Sequence, residues 1–330
     1  YAEPVVFGLL GLLAGLGQLP ERPNRRLQHI TVEFRNPLSV AVPYRLDILE
    51  SSTDNVRLKL YDTTRLMMTA TVAFMPGQDT TESMLFPETC CAAEAADRKK
   101  DTLVTGTRVT GTYAPRTEDF AQVVDRWRLS GKGATPHQIA AMMWASYIVG
   151  MHLPGKRAVF WRLRLDFHET AAHREGPFFF DAAVEELDER YDLLRSVGTL
   201  SSGSLPYATA HMSAFVRQDA PEPSLRRIAD LLPESEHLKG KLALVIGGSR
   251  GLGAAITQAL ASQCCSVLLN YQQRTAEAER IRASLGDRSA LVELMQGNAA
   301  DIQWCLSVRE TILKQYGGLD VLVCNASPPI

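Results

Sequence analysis

Two kinds of periodicity divide the chain. Up to about residue 217, stretches of helical length that are apolar nearly all round are followed by runs in which apolar and polar side chains alternate. Beyond residue 238, short apolar runs alternate with segments of helical spacing. Alternation gives a strand one buried face. Strands alternating with helices imply crossovers and a parallel sheet. In the first region, residues 5–19 predict a Gly/Leu-rich helix, and 29–35, 44–49, 56–61 and 66–74 predict strands, with Ile30, Val32 and Phe34 on one face. The same order recurs as a helix over 137–151 and strands over 158–167, 180–187, 191–198 and 208–217. Phe7 and His137 lie about 130 residues apart, and Phe34 and Phe167 nearly so, which favours two copies of one helix-then-sheet unit. In the second region, strands are predicted over 242–246, 267–269, 290–295 and 319–324, and helices over 254–263 and 276–285.

Composition marks the joints. Residues 75–112 hold Pro76, Pro87, Cys90, Cys91 and the charged run 97–101, and read as an excursion or linker. Residues 218–236 hold Pro221, Pro223 and Pro233 around a short amphipathic piece, 225–232, and read as an inter-domain linker. The expected domains are therefore 1–112, 113–217 and 238–330, with a linker over 218–237. The expected fold class is an α+β double unit followed by an α/β parallel sheet that is incomplete in this chain.

A length of 330 residues fits about two domains. With 22% charged and 45% hydrophobic residues, general disorder is excluded. The 35 basic and 37 acidic residues leave a net charge of -2, no electrostatic footprint for nucleic acid or an anionic membrane. Cys90, Cys91, Cys264, Cys265, Cys305 and Cys324 have neither metal-site spacing nor a disulfide framework, so no metal is expected and a cytoplasmic setting is the default. The apolar stretch 5–16 is shorter than the roughly 20 residues a bilayer needs, and no basic segment precedes it. It reads as a helix buried in a core. Tyr1 in place of Met, and an apolar stop at Ile330, suggest a piece of a longer protein.

Chemistry concentrates in Gly247-Gly248-Ser249-Arg250-Gly251-Leu252-Gly253, between a predicted strand and a predicted helix. Glycines permit a tight turn and close approach of backbone to a pyrophosphate, and the helix start offers partial positive charge. That context makes the motif a strong sign of dinucleotide binding. The segment 269–274 ends the next strand without the acidic residue that accepts from a ribose 2′-hydroxyl in NAD sites. Arg250 and Arg274 are placed to pair with a 2′-phosphate, so NADP(H) is the expected cofactor, with Asn270 beside them.

Residues 246–253 resemble the T-G-x-x-x-G-x-G turn of the short-chain dehydrogenase/reductases, with Ile246 where Thr is usual. Asn325-Ala326-Ser327 resembles that family's N-A-G motif, and Asn298 stands where the family has an Asp contacting adenine. The resemblance spans 238–330, about half of the family's fold. It implies a Rossmann-like reductase domain whose catalytic Ser, Tyr and Lys would fall after Ile330.

The first two-thirds resemble a hot-dog fold in duplicate. His137 to Lys156, ending Leu153-Pro154-Gly155-Lys156, is similar to the central helix of MaoC-like (R)-specific enoyl hydratases, which begins V-H-G. Pro136-His137-Gln138 and Val6-Phe7-Gly8 hold that place in the two units. The family's D-x4-H acid–base segment precedes its helix, but Asp125 has no His five residues on. In the first unit the segment would lie before Tyr1. His137 matches the helix-start histidine and is the candidate catalytic residue, set against a structural role at the helix end. His29, His152, His168, His173 and His211 are scattered and read as packing or surface residues.

Together these resemblances imply a bifunctional dehydratase/ketoreductase acting on acyl thioesters of CoA or an acyl carrier protein, in fatty-acid or polyketide-like metabolism, as a homodimer. A hot-dog half that only dimerises or docks a carrier, and a thioesterase, remain as alternatives, since fold alone does not separate them.

Overall fold

The computed structural model describes residues 5–6, 8–40, 42–52, 54–77, 86, 94–168, 177–218, 222–233 and 235–326. They form two compact units, residues 1–218 and 219–330.

In the first unit β1 (Val5–Val6) leads into α1 (Gly8–Gly17), then β2 (Arg25–Phe34), β3 (Leu38–Ser39), β4 (Arg45–Ser52), β5 (Asn55–Asp62) and β6 (Arg65–Pro76). After these come β7 (Arg108–Tyr113), α2 (Thr117–Arg126), α3 (Pro136–Tyr147), β8 (Ala158–Phe167), β9 (Phe178–Asp188), β10 (Leu193–Ser202) and β11 (Leu205–Val216). β1 pairs with β3, and nine strands make one antiparallel sheet in the order β4-β5-β6-β2-β8-β11-β10-β9-β7. Each repeat has its first strand beside its last, and the two first strands meet at the seam. There Ile30 faces Leu165 and Val32 faces Leu163, all four fully buried.

Both long helices lie on the inner face of this sheet and touch each other, α1 over β5 and β6, α3 over β8 and β11. Repetition of a helix cradled by a curved antiparallel sheet is the double hot-dog expected from sequence. The two copies divide bulk differently. α1 is thin: a Cβ on Gly8 would meet the Phe34 ring at 2.5 Å, and one on Gly11 would meet Leu38 at 2.6 Å. α3 is thick, and its Trp144 ring lies where a Cβ on Gly198 of β10 would come within 3.1 Å.

Several expected boundaries move. The helix expected over 5–19 is α-helical from Gly8 to Gly17, because Val5 and Val6 are paired with Ser39 and Leu38. The one expected over 137–151 begins at Pro136, is α-helical to Tyr147, and continues as a π turn, Ile148–His152. Thr135 and Gln138 cap its start reciprocally, and Pro136 fills the first turn, where no amide hydrogen is needed. The excursion expected over 75–112 contains β7, an edge strand whose polar outer face hid it. α2 was also missed: Phe120 and Val124 bury one side of an otherwise polar segment. Cys90, Cys91, His173 and the Pro221 turn lie outside the described residues.

The second unit opens with α4 (Leu225–Leu231), capped by Ser224 and packed on α5, so part of the expected linker belongs to this unit. It continues with β12 (Leu242–Ile246), α5 (Gly251–Ser262), β13 (Ser266–Tyr271), α6 (Thr275–Ser284), β14 (Val292–Gln296), α7 (Ile302–Tyr316) and β15 (Val321–Cys324). The sheet is parallel, in the order β14-β13-β12-β15, and Rossmann-like. β12 is buried on both faces: Ala243 and Val245 join the core under α5 and α6, while Leu242, Leu244 and Ile246 join the core under α7.

Candidate functional site

The chain leaves the buried β12 at Ile246, turns through residues 247–250 and enters α5. Gly247 takes φ +74° and Gly251 φ +53°, backbone that glycine adopts without strain. Gly253 is required by contact, since a Cβ there would lie 2.1 Å from the Gly247 carbonyl oxygen. The first amides of α5 have no carbonyl partner inside the helix and face the turn, which suits a pyrophosphate.

Around this turn lies a crevice of about 1140 Å³. Gly247, Ser249, Arg250, Gly251 and Leu252 line it from the turn, Asn270 and Arg274 from the end of β13, Asn298 from the end of β14, and Asn325 and Ala326 from the end of β15. Every candidate residue of this site except Gly253 thus borders one space at the carboxyl ends of the strands. Gly253 sets the turn's shape. Ser327 lies outside the described residues.

Their roles differ. Asn270 is 3% exposed, and its amide is committed to the protein. Oδ1 accepts from the Gly247 amide at 3.3 Å, while Nδ2 donates to the Met295 and Gly297 carbonyls at 3.2 and 3.1 Å. The Gly248 amide also donates to the Asn270 carbonyl at 2.9 Å. Asn270 therefore fastens the turn to the two strands beside it, where sequence reasoning had it facing the cofactor. A polar residue within the otherwise apolar 267–271 run was the available signal. Asn325 fastens the other side, its backbone amide donating to the Ile246 carbonyl at 3.1 Å. Asn298 caps the turn before α7 by accepting from the Ala300 amide at 3.0 Å.

Arg274 pairs with Glu277 at 2.9 Å. The Glu277 carboxyl, helped first by its own backbone amide and then by Arg274, is held below the usual carboxylate range. Arg250 has no ion-pair partner among the described residues and sits exposed at the mouth of the crevice. Of the two arginines it is the one an incoming anion finds uncommitted.

His137 is 4% exposed at the start of α3, with its ring 5.3 Å from that of Phe86 and 6.0 Å from that of Phe178. Its neighbour Gln138 does work that the sequence did not disclose. The Gln138 side chain takes a hydrogen bond from the Leu27 amide at 3.2 Å and returns one to the Leu27 carbonyl at 2.7 Å. It thereby pins the second repeat's helix to the first repeat's strand at a bulge in β2. No described group of His, Cys, Asp and Glu is arranged to hold a metal ion.

Residues 241–329 match the family model described as short chain dehydrogenase. Over residues 241–329 the C-terminal unit is thus similar to short-chain dehydrogenases, and it follows the double hot-dog in the chain. General stress protein 39 of Bacillus subtilis (strain 168) is 32% identical over 92 residues, 28% of this chain and 32% of that protein. The chain spans about a third of the length of the curated relatives it matches. A solved short chain dehydrogenase from Burkholderia cenocepacia J2315 in complex with NADP is 35% identical, with 28% of this chain and 37% of that one covered and a TM-score of 0.26. A solved MaoC-like dehydratase is 12% identical, with 58% and 76% covered and a TM-score of 0.40.

Proposed function

We propose that the chain serves an NADP(H)-dependent enzyme of acyl-thioester metabolism. Its C-terminal unit carries the nucleotide for β-ketoacyl reduction, and its double hot-dog receives the β-hydroxyacyl product for dehydration. The observation that carries this reading is the crevice at the start of α5, with Arg250 uncommitted at its mouth and no acidic residue from 270 to 274. Bound NADPH supplies a hydride for carbonyl reduction. The chain's own part is to bind and orient it: turn amides and the α5 start on the pyrophosphate, Arg250 with Arg274 on the 2′-phosphate, and Asn270 and Asn325 fastening the turn in place. The thioester is carried on CoA or an acyl carrier protein, and the protein works as a cytoplasmic homodimer. Among the described residues no helix is long and apolar enough to cross a membrane.

One observation favours a second reading for the double hot-dog, that of a dimerisation or carrier-docking scaffold. His137 is closed in by aromatic rings at a helix start, a poor position for a general acid or base. If so, a His137→Ala protein that folds keeps any turnover of a β-hydroxyacyl thioester. A loss beyond about a hundredfold would assign the chemistry to His137.

Titration of the Arg250→Ala chain with NADPH and NADH tests the nucleotide reading. Losing one charge-assisted bond to the 2′-phosphate should weaken NADPH by about 1.5–3 kcal/mol and leave NADH nearly unchanged. Equal losses for both would contradict a phosphate role.

A further inference from the structure

Trp304 stands on the first turn of α7, just beyond the end of β14, and lines the same crevice as the glycine turn. Part of the indole packs on the core of Leu242, Leu244 and Ile246. Its Nε1–H donates to the Gln296 carbonyl at 3.0 Å. The ring rests directly on Gly297, where a Cβ would lie 1.8 Å from Nε1. Gly297 is itself held, its amide donating to the Tyr271 carbonyl at 2.8 Å and its carbonyl accepting from Asn270. The indole is therefore fixed in place with its one polar hydrogen spent. What it offers the crevice is aromatic surface.

Position along the crevice decides which part of a dinucleotide meets it. The pyrophosphate belongs at the start of α5, and the 2′-phosphate is drawn to Arg250 and Arg274 beside the end of β13. β14 lies outside β13 in the sheet, and β15 lies on the opposite side of β12. The purine hangs from the ribose that bears the 2′-phosphate, so it falls toward the β14 side. The nicotinamide falls toward β15. Resting on the nucleotide reading above, we infer that Trp304, seated on Gly297, is the aromatic wall for the adenine ring and sets recognition of the purine by stacking. The ring is common to NADPH and NADH, so Trp304 governs affinity for both, in contrast to Arg250.

The chain has four tryptophans, and the other three, Trp127, Trp144 and Trp161, belong to the N-terminal unit. The test follows tryptophan fluorescence and calorimetry of the full chain titrated with adenosine 2′,5′-bisphosphate, nicotinamide mononucleotide, NADPH and NADH. Wild type, Trp304→Phe and Trp304→Ala are compared. The bisphosphate should quench wild-type fluorescence, and the mononucleotide should not. The quench should vanish in Trp304→Phe while affinity stays within about threefold, because a stacking ring remains. Trp304→Ala should weaken bisphosphate, NADPH and NADH alike by about tenfold, the scale of losing one base–aromatic stack. If a folded Trp304→Ala chain binds the bisphosphate as wild type does, or the quench persists in Trp304→Phe, the wall is wrong while the nucleotide site stands. If the wild-type chain binds neither the bisphosphate nor NADPH, the nucleotide reading falls and the wall with it.

Discussion

The central helices of the double hot-dog and the first helix of the C-terminal unit meet their surroundings in opposite ways. α1 and α3 are buried almost all round, and even their polar members, such as Gln138, bond inward to other parts of the core. α5 is buried along one side, while its start opens on a crevice bordered by strand ends. A helix enclosed by its sheet contributes stability and register. A helix that ends at a strand-end crevice contributes amides and field to a ligand. The two halves of this chain separate these tasks.

If that division is right, substitutions in each half have different readouts. Trp144 is fully buried in α3, between the Phe180 ring and Gly198. Trp144→Ala should cost the N-terminal unit about 3–5 kcal/mol in denaturant unfolding, through the cavity it leaves. NADPH affinity should not change, and a parallel loss of affinity would break the comparison.

Gly253→Ala should do the reverse. Alanine is the better helix former, yet its Cβ meets the rigid Gly247 carbonyl, and the turn must open to admit it. NADPH binding by calorimetry should fall by at least about tenfold, or 1.4 kcal/mol. The unfolding of residues 1–218 should stay as in wild type.

The smallest expected effect is a pH dependence confined to the N-terminal unit. The Nε2 of His152 is buried without a hydrogen-bond partner among the described residues, and burial, then the neighbouring Arg98 charge, pushes its pKa down from 6.5. The unfolded chain then binds this proton more readily than the folded one. Stability is full above the unfolded pKa and falls as pH drops through about 6.5 toward the lower folded value. In His152→Phe, which keeps an aromatic ring beside Tyr147 and Phe180, unfolding measured from pH 8 to 5 should show a shallower decline than wild type. Identical slopes would remove His152 from the account.

How much of this was legible in the sequence follows the same division. Alternation in Ile30, Val32 and Phe34 exposed the strands, because one face is buried and the other wet. The glycine turn was legible because a local backbone problem fixes its residue types over seven positions. Tertiary contacts were not legible. Gln138 reaches Leu27 across 111 residues, and nothing in the local pattern marks it as a bridge. β7 escaped because its alternation is weak at a polar sheet edge, and α2 because a ten-residue helix buries only Phe120 and Val124. Asn270 borders the crevice, but its three side-chain hydrogen bonds, with the Gly247 amide and the Met295 and Gly297 carbonyls, appear only when β12, β13 and β14 lie side by side.

Hydrogen exchange of the full chain with and without NADPH tests the division of labour most directly. Exchange should slow at amides of residues 247–253, at the strand ends near 270–274 and at 297–298. It should be unchanged throughout α1, α3 and the nine-stranded sheet. Protection that spares 247–253, or that appears instead across the hot-dog helices, would contradict that division.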